Sequence, residues 1–106
     1  MTRNSDKNAL PASFEDGERW EPDPSVVSQL VEGETVLVHL ETNEIYALNR
    51  TATRAWELIA TGEAYGAMRA ELQREFDAAG DEIEGDLAKL LSDLVAKKLV
   101  RSRGSD

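Results

Sequence analysis

The chain has no cysteine in 106 residues, which excludes a disulfide framework, a thiolate zinc site, an iron–sulfur cluster and a cysteine nucleophile. Histidine occurs once, at His39, so neither a multi-histidine metal site nor a histidine relay can be built. Positive charge is scarce: 12 Lys and Arg stand against 21 Asp and Glu, a net charge of −9. That balance argues against tracking nucleic-acid phosphates or docking on an anionic membrane. No apolar run approaches the roughly 18 residues of a membrane span, and the opening MTRNSDKN lacks the apolar stretch of a signal peptide. The chain therefore reads as soluble and cytoplasmic. A phosphate-cradling loop is also missing, because Gly62, Gly66, Gly80 and Gly85 are dispersed and form neither GxGxxG nor GxxxxGK[ST]. This length makes one domain with one modest core.

What is present falls into three parts. Residues 1–24 are polar and acidic, interrupted by Pro11, Gly17, Pro22 and Pro24, with bulk apolar surface only at Leu10, Phe14 and Trp20. They are expected to form a disordered acidic arm. Residues 25–101 carry the folding pattern, and residues 102–106 read as a polar tail. Within the central part, Val26 to Val31 is β-branched enough for a strand, and Glu32-Gly33-Glu34 reads as a turn. Two further apolar runs, from Thr35 to Leu40 and from Glu44 to Leu48, flank a polar connection in which Asn43 can supply a positive φ. Alternation puts Tyr46 and Leu48 on one face of the last strand, and Ile45 and Ala47 on the other.

The period then changes. Asn49 is a good N-cap, and Ala52, Ala55, Trp56 and Ile59 recur on one helical face until Gly62 ends the element. A second helix is expected from Ala64 to Ala78 on the stripe Tyr65, Met68, Leu72 and Phe76. A third opens at Asp81 and runs through Ile83, Leu87, Leu90, Leu91, Leu94 and Val95, with Lys97 and Lys98 in its last turn. Strands followed by helices specify an α+β domain: a three-stranded antiparallel sheet followed by three helices, winged-helix-like in outline.

Chemistry finds little support. His39, on the strand face opposite Val36, Val38 and Leu40, has no second ligand and reads as an exposed or half-buried strand residue rather than a metal site. The carboxylate pairs Glu82 with Asp86 and Asp86 with Asp93 occupy a solvated helix face. Neither catalytic residues nor a cofactor are expected. A winged-helix DNA-binding regulator is the alternative reading, and it conflicts with a third helix that presents Glu82, Glu84, Asp86 and Asp93 where a recognition helix needs cations. The sheet is more informative. An edge strand free of Pro can accept an extended peptide as a further strand, and Glu44 to Leu48 qualifies if it lies at an edge.

The run VLVHLETNEIYALNRTATRAWELI, Val36 to Ile59, resembles the PqqD-like family through Thr42, Tyr46, Leu48, Asn49, Thr51, Trp56 and Leu58. The likeness continues through Leu72, Phe76, Asp77, Asp86, Leu90, Leu94, Leu99 and Val100, and so spans Val26 to Val100. The resemblance implies a RiPP recognition element, a domain that binds the leader of a ribosomally made precursor peptide and presents it to a maturation enzyme. That enzyme would be a radical S-adenosylmethionine protein, a peptidase or a cyclase. The resemblance also implies where the leader lies: along the backbone of Glu44, Ile45, Tyr46, Ala47 and Leu48, with Asp86, Lys89, Leu90, Asp93 and Lys97 of the third helix as the other wall. Three positions depart from the family pattern. Ala64 replaces a frequent Thr cap, Lys98 a frequent helix-ending Gly, and His39 a frequent acidic residue.

Overall fold

Turn chemistry organises the first sheet in the computed structural model, which describes residues 14–76 and 80–105. Glu32 and Gly33 both have positive φ, 51° and 85°, and form the two-residue connection between β2 (Val26–Val31) and β3 (Glu34–His39). Such a turn matches the twist of an antiparallel pair, and the register runs unbroken from Val31 opposite Glu34 to Val26 opposite His39. Asn43, at φ 62°, supplies the left-handed residue before β4 (Glu44–Leu48), and its N–H donates to the His39 carbonyl at 2.7 Å. The result is the expected three-stranded antiparallel sheet, in the order β2-β3-β4.

Its faces differ from the sequence reading at one point. Thr35, Leu37 and His39 are buried, whereas Val36 and Val38 are half-buried and Val27 and Ile45 exposed. His39, expected to be exposed or half-buried, is only 3% exposed. Two causes act together. Helices cover one face of the sheet only, so the alternate β-branched positions are left outside; and the imidazole Nδ1 accepts the Glu41 N–H at 3.2 Å, so burial leaves that nitrogen partnered.

α1 (Arg50–Ala60) begins as expected at Asn49, whose side chain accepts the Ala52 N–H at 2.9 Å. It ends at Gly62, φ 86°, with Gly62 N–H donating to the Ile59 carbonyl and Glu63 N–H to the Leu58 carbonyl, both at 3.0 Å. α2 (Tyr65–Phe76) has no capping side chain at Ala64. Instead the Gly66 N–H donates to the main-chain carbonyl of Asp16 at 3.0 Å, so the N-terminal segment does the work of a cap. Asp77 and Ala78, at the expected end of this helix, lie outside the described residues. α3 (Gly80–Ala96) starts one residue before the expected Asp81, and Lys97 and Lys98 stand in the turn after it rather than inside it. Lys98 holds the left-handed conformation at φ 60°, with its N–H on the Val95 carbonyl and the Leu99 N–H on the Leu94 carbonyl.

The arm and tail assignments need correction over the described residues. Glu18–Pro22 is a strand, β1, paired antiparallel with a second strand, β5 (Val100–Ser105), from Glu18 opposite Ser105 to Pro22 opposite Val100. Trp20 is 3% exposed and joins the core, with Phe14 stacked edge-on against it at 5.1 Å between ring centroids and 5.6 Å from Tyr65. Glu21 accepts from Arg101 at 2.6 Å across 80 residues of sequence. Neither strand has an alternation strong enough to be read alone, because each becomes a strand only by pairing with the other. Residues 1–13 of the expected arm lie outside the described residues.

Candidate functional site

The two-residue hairpin fixes which backbone groups of each strand face which neighbour. Residues flanking such a turn exchange both main-chain bonds, so Glu34, Val36 and Val38 address β2, and Thr35, Leu37 and His39 address β4. On β4 the partners are Leu48, Tyr46 and Glu44. The N–H and C=O groups of Ile45 and Ala47 consequently point away from β3, along a strand that ends the sheet order. The condition set by the sequence, that Glu44 to Leu48 lie at an edge, is met. Side chains divide as expected, with Tyr46 half-buried and Leu48 buried on the helix side and Ile45, 68% exposed, and Ala47 on the other.

Tyr46 joins this edge to the turn that follows α3. Its hydroxyl donates to Glu44 Oε1 at 2.8 Å, and Lys97 Nζ lies 5.8 Å from the ring centroid. The hydrogen bond to the Glu44 carboxylate raises the phenol pKa above its ordinary value, with desolvation and the carboxylate charge adding to the effect.

Beyond the Leu48 end of β4 a groove of about 350 Å³ opens between α1 and α3. Its floor is apolar, formed by Ala52 and Ala55 of α1, Leu72 of α2, and Ile83, Leu87 and Leu90 of α3. Asn49 and Thr51 line the β4 side, and Asp86, Lys89 and Asp93 the rim. Four of the helix residues singled out from sequence, Asp86, Lys89, Leu90 and Asp93, therefore share one groove; Lys97 stands apart over Tyr46, and Glu44 to Leu48 form the neighbouring edge rather than the lining. Asn49, Thr51, Ala52, Ala55, Leu72, Ile83 and Leu87 were not expected at a site. The signal for two of them is size: Ala52 and Ala55 sit where the helical stripe otherwise has large residues, and their small side chains leave the space. Leu90 is half-buried and packs against the core as well as lining the groove.

Comparison with known proteins gives the family and the fold. No curated protein matches the chain. Among solved structures, TbiB1 in complex with the TbiA(beta) leader peptide superposes with a TM-score of 0.73 at 27% identity, covering 81% of this chain and 99% of that one. A lasso peptide synthetase B1 complexed with its leader peptide superposes at 0.72 with 19% identity, covering 78% and 98%, and supports the fold. The family model described as coenzyme PQQ synthesis protein D matches residues 34–100, from the first residue of β3 to the first of β5. With the β3–β4 hairpin, the capped α1 and the closing α3 all inside that match, the chain belongs to the PqqD family.

Proposed function

We propose that the chain is a non-catalytic peptide-binding protein, a RiPP recognition element that takes the leader of a ribosomally made precursor as an additional strand on β4 and presents it to a modifying enzyme. The carrying observation is the edge at Ile45 and Ala47, unpaired among the described residues, beside an apolar groove with a charged rim. Main-chain pairing to Glu44–Leu48 supplies affinity, and the groove with Asp86, Lys89, Leu90, Asp93 and Lys97 supplies specificity. The leader structures support the reading, since each relative named there is bound to a leader peptide. The modifying enzyme, a radical S-adenosylmethionine protein, peptidase or cyclase, is a separate chain, and the complex works in the cytoplasm. The DNA-binding alternative finds no support, because α3 exposes Glu82, Glu84, Asp86 and Asp93.

A titration with candidate leader peptides tests this. Ala47→Pro removes an N–H that faces away from β3, so it spares the β3–β4 ladder and blocks only an added strand. Affinity should fall by about tenfold or more, the equivalent of 1.4 kcal/mol. Glu82→Ala, away from the groove lining, should leave affinity unchanged. Binding that ignores the proline overturns strand addition on β4, and steeply salt-dependent retardation of DNA would replace the reading altogether.

A further inference from the structure

Among the described residues the sheet has a second open edge. β2 ends the order opposite β4, and its residues Val27 to Val31 are all exposed, Leu30 at 61%. Natural edge strands are blunted by charge, proline, a bulge or a covering element. The β1–β5 ribbon shows such devices, with a register shift between Arg19 and Trp20 and with Arg101 and Arg103 on β5. β2 reads VVSQLV, without charge, proline or a register shift.

We infer that β2 pairs antiparallel with β2 of a second copy of this chain, joining two sheets across a two-fold axis at Ser28. Because Val27, Gln29 and Val31 address β3, the groups that point outward belong to Val26, Ser28 and Leu30. The Val26 N–H is already used, donating to the Asp23 carbonyl at 2.9 Å, but its carbonyl is turned outward. With Ser28 on the axis, the two Ser28 residues exchange both their bonds and each Leu30 N–H reaches Val26 C=O of the second copy. Side chains match in the same register. Leu30 lies beside Val26 of the second copy on one face, Val27 beside Gln29 on the other, and the small serine occupies the crossing point.

Charge favours this strand over other routes to a second copy. Each molecule carries −9, so association through most of its surface brings carboxylates together, whereas VVSQLV brings none into the paired strand. The joined sheet keeps both β4 edges at its outer ends, so pairing through β2 does not compete with a peptide on β4.

Sedimentation equilibrium of the full chain from micromolar to millimolar concentration tests the pairing. The mass should rise from 11.7 kDa toward twice that value. Leu30→Lys places a charge on the open edge, and Ser28→Pro removes an N–H that takes no part in the β2–β3 ladder. Both should stay monomeric throughout with unchanged circular dichroism. If the proline variant misfolds, the lysine variant decides alone. A wild-type chain that is monomeric at every concentration overturns the inference, and so does a dimer that Leu30→Lys leaves at full strength.

Discussion

Thr35 and Leu48 are paired across β3 and β4, yet the hydroxyl of Thr53 stands between their backbones: Oγ1 accepts the Thr35 N–H at 2.8 Å and donates to the Leu48 carbonyl at 3.2 Å. A side chain from the first turns of α1 thus completes the ladder where β4 meets the groove. Thr53→Val keeps the shape and leaves a buried N–H without its acceptor, at a cost of about 1–3 kcal/mol. The unfolding free energy from urea titration should fall by that amount, lowering the midpoint, and leader affinity should fall with it as the Leu48 end of the edge loosens. Thr53→Ser retains the hydroxyl and should behave close to wild type in both measurements.

Lys98 closes α3 in a left-handed conformation, φ 60°, that costs a side-chain-bearing residue more than glycine. Its side chain is exposed, so replacement loses no burial. Lys98→Gly should raise stability by about 1 kcal/mol, seen as a higher urea midpoint at constant slope. An unchanged or lower midpoint would show that the strain is smaller than the entropy that glycine adds to the unfolded chain.

The same position shows how far the sequence could be read. Lys98 was recognisable as a strained helix end only through the resemblance, in which a Gly commonly ends this helix, whereas Asn43 and Asn49 were legible because their turn and cap roles are local. The core face of β3 was not legible in this way. Alternation in TVLVH makes the Val36 and Val38 side the more apolar one, and what selects Thr35, Leu37 and His39 for burial is the hairpin register together with helices on one face only. The β4 edge was legible as a candidate because it is short, proline-free and followed at once by a helix. The groove was not, because it depends on Ala52 and Ala55 of α1 facing Ile83, Leu87 and Leu90 of α3, a tertiary juxtaposition with no mark in local spacing.

Tyr46 offers a titration at the candidate site itself. The hydrogen bond to Glu44 raises its phenol pKa, so the folded state favours the protonated form. The associated stabilisation is complete below the ordinary tyrosine pKa and is lost as pH rises through the higher folded value. In a chain with carbon-13-labelled tyrosine, the Tyr46 ring resonance should titrate above the ordinary value, and Glu44→Gln should bring it down. A Tyr46 midpoint unmoved by Glu44→Gln would show that the 2.8 Å bond is not formed in solution.

The folding unit begins before the family match does. The match starts at residue 34, but Asp16 receives the Gly66 N–H through its carbonyl and binds Arg69 through its carboxylate at 3.0 Å, while Trp20 packs with Phe14 and Tyr65 inside the core. Trp20→Ala removes one of the two tryptophans from a nearly fully buried position and should cost about 3–5 kcal/mol. Asp16→Ala leaves the main-chain bond intact and removes only an exposed ion pair, so it should cost no more than about 1 kcal/mol. Urea unfolding of the two full-length variants separates packing from charge. If Trp20→Ala instead kept the wild-type midpoint, β1 and β5 would be an appendage, and the domain would begin with the β2–β3 hairpin.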